Sequence, residues 1–238
     1  MSNGSKVSFW RFITQSGVNE IDIPAIQRDY VQGRRDEKIE FTLNRLLNDI
    51  FNALDTMEIL DLNYVYGKLD NKKFIPIDGQ QRLTLLLLLH IYAFAAEGKS
   101  AELKRLHCFK YNTRETTRRF LTQLIDHLPE YFEKGNDKLS SFIMDAAWFV
   151  SSWERDPSVA SFLVVLEKID NLFKNNTIAD KLMADDCPIT YMGLSINDMG
   201  NENDLYIKMN ARGKPLTEFE IFKSDLFDYA ESLVKPEH

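Results

Sequence analysis

The chain has 238 residues and lacks the residues that mark several common protein classes. Its two cysteines, Cys108 and Cys187, are too few for a disulfide framework, and neither lies in a CxxC pair, which argues against a cysteine zinc site and fits a reducing cytoplasm. The sequence has no GxxxxGK[ST], and no two of its 10 glycines form GxG, so neither a Walker-type nor a Rossmann-type nucleotide site is expected. The longest apolar stretch, residues 83–96, is too short to span a bilayer and is typical of a buried helix. These absences predict a soluble cytoplasmic protein with no membrane partner.

Positive charge is also scarce, because 29 Lys and Arg residues face 36 Asp and Glu residues and give a net charge of -7. This balance excludes a basic protein that coats DNA, so any nucleic-acid contact must be local. One local region exists at residues 104–119, where six basic residues accompany a single acid and two interleaved aromatics. It is either a DNA-contacting surface or a solvated helix face. The candidate DNA contacts are Lys104, Arg105, Arg114 and Arg118.

Histidine is rare as well, and the four histidines at positions 90, 107, 127 and 238 have no metal-ligand spacing. His90 lies within the leucine-rich stretch and is expected to be a core residue. The sequence Asp126-His127-Leu128-Pro129 resembles the start of a His-Asn-His nuclease motif. Only His238 follows it, so a second metal-binding histidine is missing and nuclease activity is not expected from this chain alone.

Periodicity predicts that strands and helices alternate in the first part of the chain. Residues 20–26 read as a short strand, and Asp36 can cap a helix that extends to Leu54. Residues 60–69 and 73–77 read as a hairpin with its turn at Asp70-Asn71, and an apolar helix begins at Gln80.

A helical pattern then occupies residues 103–182, with amphipathic segments near 114–128, 139–153 and 159–173. Asp156 and Pro157 suit the N-cap and first position of the third segment. The remaining predicted elements are strands at 189–196 and 204–209 and a helix with a capping box at Thr217 and Glu220.

This order predicts an α+β fold with a mixed core built from both chain ends and a mainly helical middle subdomain. The first part of the core covers residues 1–100, the helical subdomain covers 101–185, and residues 186–238 return to complete the core.

The most informative stretch is residues 75–85, IPIDGQQRLTL, in which a strand turns sharply into a helix. Such a turn presents the backbone N–H groups of Gly79, Gln80 and Gln81 at a helix N-terminus, where phosphate binds well. Arg82 adds a positive fork, and Asp78 could hold a divalent metal ion. Alternatively, Asp78 only caps the following helix.

Three motifs together resemble the N-terminal domain of GmrSD-type modification-dependent restriction enzymes and their phage-defence relatives. They are IPAIQRDY at residues 23–30, IDGQQRLT at 77–84 and IKMNARGKPLT at 207–217. The resemblance implies a ParB/sulfiredoxin-like fold that binds and hydrolyses a nucleoside triphosphate, GTP or ATP, with Mg²⁺. It also implies that hydrolysis regulates cleavage of modified or foreign DNA by a His-Asn-His nuclease domain, in the same longer chain or in a partner subunit.

The resemblance assigns a nucleotide-site role to residues in each motif. Gln27 and Arg28 form the first group; the alternative for Arg28 is a surface ion pair with Asp29 or Asp36. The sequence departs from the family's frequent YxW pattern, because Gln32 stands where an aromatic residue often follows the tyrosine. Residues 210–215 are either a second phosphate-facing edge or only a connector. The nucleotide-binding candidates are Gln27, Arg28, Gly79, Asn210, Arg212 and Gly213.

The catalytic candidates are the other four residues of the DGQQR motif. Asp78 would hold Mg²⁺, Arg82 would stabilise phosphate charge, and Gln80 or Gln81 would orient the attacking water. The alternative function is a non-catalytic sensor module that binds a nucleotide or modified DNA without turnover.

Overall fold

A computed structural model describes residues 6–134 and 138–195 of the chain. In this part of the chain six strands form one mixed sheet, and helices pack against it. Two short 3₁₀ turns also occur, at Leu106–Cys108 and Ser151–Arg155. The elements in chain order are β1 Lys6–Val7, α1 Phe9–Gln15, β2 Glu20–Ile23, α2 Glu37–Thr56, β3 Leu60–Asp70, β4 Lys73–Asp78, α3 Gln80–Ala96, α4 Ser100–Arg105, β5 Phe109–Tyr111, α5 Glu115–His127, α6 Pro129–Lys134, α7 Leu139–Asp145, α8 Pro157–Phe173, α9 Ala179–Met183 and β6 Ile189–Ser195.

The strand order of the sheet is β1-β6-β3-β4-β2-β5. Strand β6, from late in the chain, lies between β1 and β3, so the prediction of a mixed core built from both chain ends is confirmed. Strand β2 is parallel to both of its neighbours, β4 and β5. Because parallel strands end at the same side of a sheet, the carboxyl ends of β2, β4 and β5 lie next to one another.

The predicted hairpin is present as β3 and β4, but its turn is one residue later than expected. Asp70 pairs with Lys73, so Asn71 and Lys72 are the two turn residues, with φ values of 46° and 67°. A two-residue turn of this kind needs positive φ at both central positions because its twist must match that of the strands. Asn71 tolerates this conformation well, which explains why the turn is centred on it rather than before it.

Two parts of the helical middle differ from the sequence prediction. The prediction of a single helical segment over residues 139–153 is wrong, because α7 ends at Asp145 and the chain continues irregularly to a 3₁₀ turn. In that irregular segment Trp148 and Phe149 place their rings 6.2 and 6.1 Å from the ring of Phe120, so aromatic packing outweighs helical periodicity.

Strand β5, within the predicted helical stretch, and helix α1 were both missed. The expected strand at 204–209 and the helix from Thr217 lie outside the described residues.

One continuous apolar core runs from Phe9 to Tyr191 and includes residues of all three predicted segments. Helix α3 is buried along nearly its whole length and packs against α8. The predicted core position of His90 is confirmed, since it is 2% exposed and its Nδ1 lies 2.7 Å from the Leu86 carbonyl. Within residues 6–134 and 138–195 no helix is both long and apolar enough to cross a membrane. The boundaries at residues 100 and 185 stay a prediction.

Asp156 joins three elements of the helical middle. Its buried carboxylate accepts hydrogen bonds from Ser158 N at 2.9 Å and Val159 N at 3.4 Å, which confirms the predicted N-cap of α8. It also accepts from the hydroxyls of Thr116 and Thr117 at the start of α5, the latter at 2.7 Å. One carboxylate therefore fixes the starts of α5 and α8 against each other.

Replacing Asp156 should destabilise the fold more than replacing an ordinary cap. Asp156→Ala leaves buried donors of two helices without an acceptor, so we expect a loss of about 3 kcal/mol in the free energy of unfolding. The control is Asp36→Ala, which removes the exposed cap of α2 with its two hydrogen bonds, to Lys38 N and Ile39 N, and should cost about 1 kcal/mol. Urea denaturation measures both, and equal losses would contradict the joining role.

Stability should fall in mild acid because of His90. Burial lowers the pKa of His90 to about 4, against about 6.5 for an exposed histidine. The unfolded chain therefore binds the proton first, so stability is full above pH 6.5 and is lost as the pH falls towards 4, by up to about 3 kcal/mol. His90→Leu should flatten this part of the pH profile, whereas the surface change His107→Gln should not. An unchanged slope in His90→Leu would be the contrary result.

Candidate functional site

Three loops meet where β2, β4 and β5 end, and we call this region the strand-end site. It comprises residues 24–31 after β2, residues 78–82 from the end of β4 into the first turn of α3, and residues 112–114 after β5. The IPAIQRDY and DGQQR motifs, 50 residues apart in the chain, are thus brought together by the parallel pairing of β2 with β4. In open α/β sheets this end of parallel strands is the usual place for ligands.

Gly79 makes the sharp turn from β4 into α3. Its φ is +92°, and a Cβ at this position would lie 2.8 Å from Val65 Cγ2, so both conformation and space require glycine. No side chain caps α3 in the described ranges. The alternative that Asp78 only caps this helix is therefore not what the structure shows. The first turn of α3 presents its backbone N–H groups at the positive end of a 17-residue helix.

Asp78 and Arg82 are the charged members of the DGQQR motif, and both are partly exposed. Their side chains are 47% and 26% exposed, and Arg82 Nη2 lies 3.2 Å from Asp78 Oδ2. Arg82 Nη1 also donates to the Leu62 carbonyl at 2.6 Å, which fixes the direction of the guanidinium. A half-exposed ion pair of this kind contributes little to stability, so its groups can exchange partners at low cost.

The three glutamines of the two motifs connect the loops instead of pointing to solvent. Buried Gln27 donates from Nε2 to the Pro76 carbonyl at 2.9 Å. Gln81 accepts from Val31 N at 3.0 Å and donates to the Asp29 carbonyl at 3.2 Å. Buried Gln80 donates a long hydrogen bond of 3.5 Å from Nε2 to the Arg28 carbonyl. Its Oε1 has no hydrogen-bond partner among the described residues. The positions of the two motifs therefore depend on each other.

The third loop is joined to the first by charged and polar side chains. Arg114 donates two hydrogen bonds, each of 3.0 Å, to the carboxylate of Asp29. Asn112 donates to Asp22 at 2.7 Å, beside the carboxyl end of β2. The Asp29 carboxylate pairs with Arg114, and the Asp36 side chain caps α2.

The other candidate residues are spread over the molecule. Asn210, Arg212 and Gly213 lie outside the described residues. Of the DNA candidates, Arg105 donates to the Ile13 carbonyl at 2.8 Å, Arg118 pairs with Glu115, and Lys104 is exposed on α4. Arg114 and Arg118 lie one turn apart at the start of α5, whereas Lys104 and Arg105 lie on α4. Their role in DNA contact stays a prediction.

The nuclease-like sequence at residues 126–129 has structural partners. Asp126 bonds His107 at 2.8 Å, and His127 bonds Glu130 at 2.8 Å while its ring stacks on Trp148. The part of the chain that the structure describes contains no group of three His, Cys, Asp or Glu side chains placed to hold a metal ion. A Mg²⁺ ion at Asp78 would need phosphate oxygens and water for its other ligands, as is usual for this ion.

Sequence reasoning missed several residues that support the site. The Ser158 hydroxyl accepts from Tyr30 N at 3.0 Å and so ties the first loop to α8, 128 residues later. Asn112 was not singled out at all. The Asp156-Pro157 cap was a visible signal for the start of α8, but no local pattern reveals which distant loop such a start contacts.

Loosening the clamp made by Gln81 should expose the first loop. Gln81→Ala removes both hydrogen bonds to residues 29 and 31, each worth about 1 kcal/mol, so amide exchange at Val31 should rise roughly tenfold. Ser158→Ala is the matched comparison, because it should release Tyr30 N and leave Val31 N protected. Hydrogen–deuterium exchange of this loop measures both, and an unchanged Val31 in Gln81→Ala would refute the clamp.

Comparison with known proteins gives one family. No curated protein matches the chain. A family model described as GmrSD restriction endonuclease, N-terminal domain, matches residues 10–227, a stretch that contains all three motifs. The match covers far more than half of the chain. The protein therefore belongs to the family of GmrSD restriction endonuclease N-terminal domains, which places it in a restriction system.

Proposed function

We propose that this domain binds and hydrolyses a nucleoside triphosphate at the strand-end site and that it thereby controls a modification-dependent restriction or phage-defence system. The observation that carries the proposal is the meeting of the two motif loops, with Asp78 and Arg82 accessible beside the N-terminus of α3. A phosphate chain needs an electropositive surface with backbone donors and room for close approach. The amides of the first α3 turn, Arg82 and Gly79 supply these three properties.

The chemical step is the attack of water on the γ-phosphorus of the nucleotide. A bond forms from the water oxygen to phosphorus, and the bond from phosphorus to the β–γ bridging oxygen breaks. The nucleoside diphosphate and inorganic phosphate leave, and one proton of the water passes to solvent. Negative charge develops on the phosphoryl oxygens, and preorganised N–H donors and guanidinium groups stabilise it. In this proposal the donors are the α3 amides and Arg82, assisted by Arg28 or Arg212, which the family resemblance assigns to the nucleotide site.

Mg²⁺ would neutralise phosphate charge, and Asp78 is suited to hold it. Its carboxylate is about half exposed, and one of its oxygens is bonded to Arg82. Mg²⁺ commonly uses one or two protein carboxylates together with phosphate oxygens and water. The donor set at the site therefore fits this ion without a preformed protein cage.

The two glutamines of DGQQR have different parts in this proposal. Both polar atoms of the Gln81 amide are bonded to the backbone of the first loop, so we assign Gln81 to positioning. The Gln80 Oε1 is buried and lacks a hydrogen-bond partner among the described residues, and we assign it as the acceptor for a water molecule. Gln27 supports β4 by donating a hydrogen bond to the Pro76 carbonyl.

The partners in this proposal are the nucleotide, modified or foreign DNA, and a His-Asn-His nuclease domain in the same longer chain or in a separate subunit. Support comes from the family match, since the family is one of restriction endonuclease N-terminal domains. The alternative, a non-catalytic sensor, uses the same strand-end site and differs only in the absence of turnover.

A thermal-shift panel with ATP, GTP and CTP, each with Mg²⁺, tests binding. At a nucleotide concentration of about 100 times Kd the folded state gains about 2.7 kcal/mol, which corresponds to a rise in Tm of roughly 5–10 °C. Asp78→Ala combined with Arg82→Ala should abolish the shift. The control combines Arg45→Ala with Asp49→Ala, which removes the same two charges, four residues apart, from the exposed face of α2.

Phosphate release with any nucleotide that binds then separates the two functions. Release that is lost in the Asp78 and Arg82 variant supports hydrolysis at this site. A shift without release supports the sensor. If that variant released phosphate at the native rate, and its Tm without nucleotide were unchanged, hydrolysis would take place at another site.

A further inference from the structure

A second concave surface lies beside the edge strand β5, and we call it the β5 cleft. It has a volume of about 760 Å³, within the usual range for small-ligand pockets. Its walls are β5, one face of α5 and the segment from Trp148 to Trp153. Among the described strands β5 pairs only with β2, so the outer edge of β5 faces this cleft with its backbone donors and acceptors.

The charge of the cleft is opposite to that of the whole chain. Lys110, Arg118 and Arg119 line it, and Glu115 is the single acid among its lining residues. Glu115 pairs with both arginines, and hydrogen bonds from Arg119 together with the charge of Arg118 lower the pKa of Glu115. Three cations against one ionised carboxylate leave a local surplus of two positive charges, in a protein of net charge -7.

Aromatic side chains form the remaining wall. Trp148 and Trp153 line the cleft and pack against Phe120, with ring centroids at 6.2 and 5.7 Å. The ring of His127 stacks on Trp148, which holds the indole in place. Trp148 Nε1 is buried and has no hydrogen-bond acceptor among the described residues. A buried indole N–H normally finds a partner, so this donor is suited to an acceptor supplied by a ligand.

We propose that the β5 cleft binds single-stranded nucleic acid, with the backbone phosphates on Lys110, Arg118 and Arg119 and a base against Trp148. The combination of cations and aromatic rings in one groove is the one that single strands require, because bases present free stacking faces only when unpaired. A duplex would contact the cations but could not place a base against the tryptophan.

This inference gives a location to the DNA partner of the proposed function and does not depend on nucleotide hydrolysis. It also changes the set of residues involved. Three of the four residues that the sequence suggested, Lys104, Arg105 and Arg114, are not among the residues that line the cleft, whereas Lys110 and Arg119 are. The basic region is therefore divided by the fold, and only part of it faces the aromatic wall.

The test is fluorescence anisotropy with a labelled oligo-dT of about 12 nucleotides, which is within the site size of single-strand grooves. The cleft variant combines Lys110→Gln with Arg119→Gln, both at the surface and tolerable for folding. The control combines Arg34→Gln with Arg35→Gln, which removes the same charge from exposed positions that do not line the cleft. Melting temperatures confirm that each variant is folded.

We expect the cleft variant to bind at least tenfold more weakly at about 50 mM salt, and the control to change less than twofold. Each phosphate contact contributes about 0.7 to the slope of log K against log salt for a single strand, so the cleft variant should lose about 1.4. Trp148→Phe keeps a ring but removes the indole N–H, and a three- to tenfold loss is expected.

Four results would overturn the proposal: no binding by the native protein at about 50 mM salt, equal losses in both double variants, tighter binding of a duplex than of the single strand, or displacement of the oligonucleotide by an acidic peptide at lower concentration. Nucleotide thermal shifts measured on the same cleft variant keep the two proposals apart. An unchanged shift with weakened DNA binding shows that the cleft acts separately from the strand-end site.

Discussion

The parallel pairing of β2 with β4 is the constraint on which the candidate site depends. Only two residue pairs define its register, Glu20 with Lys73 and Ile21 with Phe74, yet this short ladder decides where both motif loops emerge. Lys73 reinforces it through an ion pair of 3.0 Å with the partly buried Asp22. The hydrogen bond that Lys73 donates to that carboxylate raises the pKa of Lys73, so the lysine stays charged and paired at neutral pH.

The helical middle of the chain supports the same loops from the other side. Asp156 aligns the starts of α5 and α8, Ser158 then holds Tyr30 N, and Arg114 holds Asp29. Consequently the first loop is bound to β4 by glutamines and to the helices by serine and arginine. The middle segment thus contributes to the position of the site as well as to the core, and strand β5 extends the sheet from within it.

How much of the fold and of the candidate site could be predicted depends on how far apart in the sequence the interacting residues lie. The α2 and α8 caps, the β3–β4 pairing and the Gly79 turn depend on neighbouring residues, so the sequence shows them directly. Strand β5 has only three residues, too few for a period of two to be visible. Helix α7 ends at Asp145, shortly before Trp148 and Phe149 pack their rings against Phe120. The β5 cleft could not be predicted, because residues 110, 119 and 148 are close only after β5, α5 and the aromatic segment have packed together.

The chemistry of the connections between the loops also matters for what the site can hold. If carboxylates and guanidinium groups held the two motif loops together, a phosphate would compete with those carboxylates for the cations and loosen the site as it bound. Gln27 and Gln81 instead join the loops through neutral amide hydrogen bonds to backbone groups. These bonds carry no net charge, so an anion does not displace them directly. The two motif loops are thereby held by groups other than Arg82 and the α3 amides, which our proposal assigns to the phosphates.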